Sequence, residues 1–134
     1  MEAKKSIKIV IHRRLRGLFL IDGNCAEVRL NPIESTLFRL FLAHPEGIGS
    51  ENLLVYWKEL VALYGHESVY DERLRQEEAM ESLCSESKTV FYSNISRIKR
   101  KFVEALGSRK AAGYYIKRYA DGLYRTKATL KQTE

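Results

Sequence analysis

The run TVFYSNISRIKRKFVEAL, residues 89–106, decides how this chain is read. At 3.6 residues per turn Phe91, Ile95, Ile98, Phe102 and Leu106 fall on one stripe, while Ser93, Asn94, Ser96, Arg97, Arg100 and Lys101 take most of the remaining surface. One face of the predicted helix is core and the other is basic. Just downstream, residues 114–119 and 123–126 read as two strands joined through Ala120-Asp121-Gly122, where Asp-Gly signals a hairpin turn because it accepts positive φ. A basic rod followed by a hairpin bearing tyrosines and arginines suits a nucleic acid backbone and groove.

Upstream of this unit the signals are equally local. Asn31 can serve as an N-cap, Pro32 suits the first helical position, and Glu34 sits where a capping-box carboxylate reaches back to the cap amide. Ile33, Leu37, Leu40 and Phe41 give that helix its buried stripe, and Pro45 and Gly47 end it. A second helix is expected to open at Ser50, bury Leu53, Trp57, Leu60, Val61 and Tyr64, and stop at Gly65. Before the first helix, residues 7–11 alternate like a half-buried strand. Residues 18–21 and 25–30 add two more, turned by Asp22-Gly23-Asn24, with Ala26, Val28 and Leu30 sharing a face. The expectation is an antiparallel meander of three or four strands. Between 65 and 88 lies an acidic piece with a short helix over 71–83; residues 108–113 read as a basic loop, and 127–134 as a polar tail that frays.

At 134 residues the chain has room for one domain, and 45% hydrophobic with 30% charged residues is globular composition. The formal charge of +6 is unevenly placed. Residues 85–130 carry eleven bases against three acids, a net of +8, whereas 65–84 carry two bases against six acids, a net of −4. This favours one surface for a polyanion and another for a different partner. Cys25 and Cys84 show no metal or redox spacing, and the N-terminal MEAKKSIKIV lacks the apolar centre of a signal peptide. A reduced, cytoplasmic chain without membrane association is expected. His12, His44 and His66 share no ligand spacing, which points to solvent-facing or cap roles with no metal and no cofactor. Without a nucleophile elbow or a phosphate-cradling glycine loop, an enzyme is not expected.

The element order and several motifs together resemble one family. Leu30-Asn31-Pro32-Ile33-Glu34 with Leu37, Leu40 and Pro45-Glu46-Gly47-Ile48 looks like the first-helix signature of the C-terminal winged-helix DNA-binding domain of OmpR/PhoB response regulators. The run Asn94-Ile95-Ser96-Arg97-Ile98-Lys99-Arg100-Lys101-Phe102 is similar to that family's recognition helix, and Gly122-Leu123-Tyr124-Arg125 to its closing wing motif. Three departures stand out. Leu123 separates the wing glycine from the tyrosine, the connection at 65–88 is long and acidic, and no receiver domain with a phosphoacceptor aspartate is found in this chain.

The resemblance implies an α+β fold: a winged helix-turn-helix with an N-terminal antiparallel meander over 1–30, three main helices and the acidic insertion within 31–106, a loop and hairpin wing over 107–127, and a tail. It implies a bacterial transcriptional regulator that binds double-stranded DNA. Asn94, Ser96, Lys99 and Arg100 would read bases, and Arg97, Lys101 and the wing would contact phosphates, with Tyr92, Lys117, Arg118, Tyr119 and Arg125 completing the interface. The acidic segment would meet RNA polymerase or another protein, and a homodimer on DNA is compatible with this mode. The competing expectation is a protein-interaction module that keeps the winged-helix scaffold without reading DNA.

Overall fold

The structure, a computed structural model, describes residues 8–11, 16–21, 26–68 and 72–130. Along the chain come β1 (Lys8–Ile11), β2 (Leu18–Ile21), β3 (Ala26–Arg29), α1 (Pro32–Ala43), a 3-10 helix (Ser50–Tyr56), α2 (Trp57–Glu67), α3 (Arg73–Leu83), α4 (Thr89–Leu106), α5 (Ser108–Ala111), β4 (Lys117–Arg118), β5 (Tyr124–Arg125) and β6 (Thr129–Leu130). The class is α+β. The N-terminal strands form the expected antiparallel meander, with Phe19 opposite both Ile11 and Val28. Val28 and Leu30 are buried, as their shared face requires. The turn at Asp22-Gly23-Asn24 lies outside the described residues, as do Cys25 and His12.

The α1 start matches its sequence signature. The Asn31 side chain accepts from the Glu34 N–H at 2.8 Å, and the Glu34 carboxylate accepts from the Asn31 N–H at 3.0 Å. Leu37, Phe38, Leu40 and Phe41 are buried below it. Aromatic rings then carry the core across the layers. Phe19 of the sheet meets Phe38 at 5.2 Å, Phe38 meets Phe102 of α4 at 5.2 Å, and Phe102 stacks on Tyr114 at 6.0 Å.

Several expectations need correction. The segment from Ser50 begins as a 3-10 helix and becomes α-helical only at Trp57; Gly49, not Ser50, holds the cap position. Gly65 does not end α2, which runs to Glu67, because the Glu67 carboxylate is buried and accepts from Ser35 Oγ at 2.7 Å and Arg39 Nη1 at 2.6 Å. That clamp onto α1 holds the last turn helical past the glycine. Within the acidic piece the helix expected over 71–83 is present as α3, which buries Gln76, Met80 and Leu83 on one side. Residues 108–111 form a single helical turn.

The tail corrects the sheet. Thr129 and Leu130 form β6, which lies parallel to β1 with Lys8 opposite Thr129, so the sheet order is β3-β2-β1-β6. The fourth strand comes from the far end of the chain, and its backbone pairing overrides the polar composition that suggested fraying.

Candidate nucleic-acid interface

Helix α4 presents two distinct faces. Phe91, Ile98 and Phe102 are buried and Ile95 and Leu106 half-buried, which is the stripe read from periodicity. Tyr92, Ser96, Lys99 and Arg100 are exposed together on the opposite face. Gly107, with φ of 84°, closes the helix.

Beside this face stands the β4–β5 hairpin. Lys117 pairs with Arg125 and Arg118 with Tyr124, and the turn closes through the Tyr119 N–H on Leu123 O at 2.8 Å and the Gly122 N–H on Tyr119 O at 2.9 Å. Gly122 has φ of 86°, the conformation for which Asp-Gly was read as a turn. The strands are shorter than expected. They are tied down by Ile48, which exchanges both backbone hydrogen bonds with Tyr124 at 2.9 Å. Gly47 makes this approach possible: at its φ of 102° a Cβ would meet Arg125 Nε, Leu123 Cβ and Tyr124 O, each at 3.1 Å. Tyr124 also packs edge-on against Phe91 at 5.2 Å and near Tyr92 at 6.4 Å, which fixes the hairpin against α4. Burial, with the Tyr92 phenol beside it, pushes the Tyr124 hydroxyl above its ordinary pKa.

Four of the residues expected at a DNA surface are engaged elsewhere. Asn94 is buried, and its amide donates to Val90 O at 2.8 Å, so it caps a carbonyl of its own helix and does not face outward. Lys101 donates to Glu34 Oε1 at 2.6 Å, and Arg97 Nε lies 4.0 Å from Glu34 Oε2. The wholly buried Glu34 carboxylate, read in the sequence only as a cap, therefore draws both bases toward α1. Arg125 donates to Asp121 Oδ2 at 2.6 Å and to Glu46 O at 3.1 Å, and its guanidinium covers the Tyr119 ring at 4.9 Å. That Arg125 hydrogen bond, with the Leu123 N–H, holds the Asp121 carboxyl below its ordinary pKa. The Tyr119 hydroxyl is buried, without a hydrogen-bond partner among the described residues.

What remains outward is Tyr92, Ser96, Lys99 and Arg100 on α4 with exposed Arg118 and half-buried Lys117 on the hairpin. Among the described residues Lys99, Lys117 and Arg118 have no carboxylate within ion-pair distance, and Arg100 has only a loose pair with exposed Glu104 at 4.0 Å. Such an exposed pair is worth less than about 0.5 kcal/mol. Both Lys99 and Lys117 lie over the ring of Tyr115, at 5.5 and 5.6 Å from its centre. Tyr115 lies in the stretch 114–119 expected as a strand. No local signal marks it, since the ring gathers one lysine from α4 and one from β4.

At the other end of the loop that carries Ile48, the His44 ring sits between two carboxylates, with Nδ1 3.2 Å from Glu46 and Nε2 2.9 Å from Glu59, and packs on Tyr56 at 4.6 Å. Only the imidazolium donates to both. Burial opposes that charge, but the hydrogen bonds and charges of Glu59 and Glu46 outweigh it and raise the His44 pKa. A raised folded-state pKa adds stability that is complete below the unfolded value near 6.5 and is lost as pH climbs through the folded value. The denaturant midpoint should therefore fall as pH rises from about 6 to about 8, and His44→Gln should flatten that part of the profile. An identical slope in wild type and variant would remove His44 as its source.

Cys84 is a free, buried thiol, its pKa pushed up by burial against the pull of Lys88. Among the described residues no helix is long and apolar enough to cross a membrane. No family model, curated protein or solved structure matches this chain, so its function is argued from its own geometry.

Proposed function

We propose that this chain is a sequence-specific double-stranded DNA-binding protein acting as a transcriptional regulator of winged-helix, OmpR/PhoB type, with α4 as recognition helix in the major groove and the β4–β5 hairpin as wing on the minor groove or backbone. One observation carries this reading: the exposed face of α4 and the adjoining hairpin leave Lys99, Lys117 and Arg118 unneutralised by any carboxylate among the described residues. A convex rod with free positive charge beside a second basic element complements a grooved polyanion. Arg100 and Ser96 are the base-reading side chains, with Tyr92 at the N-terminal end of the same stripe.

The test is a fluorescence titration of random-sequence duplex at low and moderate salt, followed by selection of bound duplexes from a random library. Binding that weakens steeply with salt, and enrichment of a common sequence, are the expected results. Salt-insensitive or undetectable binding would instead favour a protein-interaction module.

The acidic surface of α3, with Glu72, Glu78 and Glu81 exposed, is proposed as the face for RNA polymerase or another protein partner. Glu67 is not part of it, being committed to Ser35 and Arg39. Deleting the segment would remove Met80 and Leu83 from the core, so the informative variant is Glu72→Lys with Glu78→Lys and Glu81→Lys. It should keep duplex affinity and thermal midpoint while losing transcriptional output. Undiminished output would exclude this face.

A further inference from the structure

We propose that Lys99, Tyr115 and Lys117 form a phosphate clamp at the junction of α4 and the hairpin, taking the phosphodiester backbone of a DNA strand, with Tyr115 as the residue that positions both lysines. The inference rests on the duplex-binding reading and adds to it the fixed point about which α4 is set against the duplex.

An electrostatic imbalance marks the junction of α4 and the hairpin. Two ammonium groups lie over one aromatic ring, at 5.5 and 5.6 Å from its centre, and they repel each other. Elsewhere on α4 and the hairpin most cations are drawn to carboxylates, Lys101 and Arg97 to Glu34, Arg100 to Glu104 and Arg125 to Asp121, with Arg118 the exception among the described residues. Among the described residues Lys99 and Lys117 have no such partner. The negative π-faces of the Tyr115 ring attract both ammonium groups and restrict two flexible side chains to the surroundings of one anchored ring. A phosphodiester backbone passing the ring would supply the negative charge that both lack.

The anion is a backbone phosphate for two reasons. Lysine acts as a compact point charge suited to phosphate oxygens, whereas bidentate base recognition is the property of arginine, represented on this face by Arg100. Lys99 and Lys117 also come from different elements, so a backbone that meets both runs along the junction of rod and hairpin, where the strand flanking an occupied groove would pass. Lys99 is therefore reassigned from base reading to backbone contact. Tyr115 is half-buried and packed against the core, so its ring is anchored while its lysines reach solvent.

The test uses the full chain and two labelled duplexes, one of random sequence and one recovered by selection, titrated across a salt series. Lys99→Gln and Lys117→Gln should each reduce the slope of log affinity against log salt by about 0.9. Each should weaken both duplexes by the same factor. Tyr115→Leu should weaken binding about threefold to fivefold with both lysines still present, and Tyr115→Phe, which keeps the ring, should restore it. A ring needed only for packing would shift the thermal midpoint without separating Leu from Phe in binding. An altered sequence preference for Lys99→Gln with an unchanged slope would make Lys99 a base reader and overturn the clamp, as would equal binding by wild type and Tyr115→Leu. Wild-type chain that binds neither duplex in a salt-sensitive way would overturn the duplex reading itself.

Discussion

Replacing Lys101 by methionine should cost about 3 kcal/mol of folding stability, a fall of roughly 10 °C in the thermal midpoint. The Glu34 carboxylate is completely buried, and its partners are the Asn31 N–H at 3.0 Å, Lys101 Nζ at 2.6 Å and, more distantly, Arg97 Nε at 4.0 Å. Methionine keeps the length and apolar stem of the lysine and removes only the ammonium. The carboxylate would then be left in a low-dielectric site with one neutral donor and only the distant Arg97 guanidinium at 4.0 Å, and most of its desolvation would no longer be offset. The companion Glu34→Gln with Lys101→Met should recover most of the loss, since a neutral amide can still complete the capping box and no buried charge remains. Chemical denaturation of wild type, both single variants and the double variant closes the cycle. A single-variant loss below about 0.5 kcal/mol would mean that Glu34 is satisfied without Lys101.

Reversing charge at Lys99→Glu with Arg100→Glu should reduce duplex affinity by a hundredfold or more at ~0.1 M salt, with folding nearly unchanged. Both side chains are exposed, and the one ion pair disturbed is the 4.0 Å contact of Arg100 with Glu104. The expected loss comes from two attractive charges becoming repulsive on the face proposed to meet the phosphates. Position matters to this choice. Arg97 also lies on the basic side of α4, but its charge supports Glu34, so reversing it would disturb the packing of α1 on α4 and confound the result. Unchanged affinity of the folded variant would leave α4 without a role in binding DNA.

Both variants show where residue-level reading of a basic helix reaches its limit. Ser93, Asn94, Ser96, Arg97, Arg100 and Lys101 are all polar, and helical periodicity places them off the apolar stripe. It does not say which of them a neighbouring helix will engage. Asn94 lies close enough to the stripe to be covered, and its amide is satisfied by Val90 O one turn back. Lys101 is drawn to a carboxylate 67 residues away. Of the candidate interface, Tyr92, Ser96, Lys99, Arg100, Lys117 and Arg118 are outward, and they are the positions with no buried acid or carbonyl to engage them. Tyr115 escaped the sequence reading because its two lysines belong to different elements.

From sequence alone came several features whose cause lies within a few residues: the Asn31 and Glu34 capping box, the apolar stripe of α4, the Asp-Gly hairpin turn and the antiparallel pairing of the first strands. These follow from side-chain spacing and local backbone preference, which act over one or two turns of chain. Tertiary structure alone decided that β6 joins β1, that Glu67 carries α2 past Gly65, and that Glu34 claims Lys101 and Arg97 and removes them from the basic face. Each of these is a polar or charged group satisfied by a partner far away in the chain. Burial makes such pairing obligatory, and only the packed structure determines which groups are buried together.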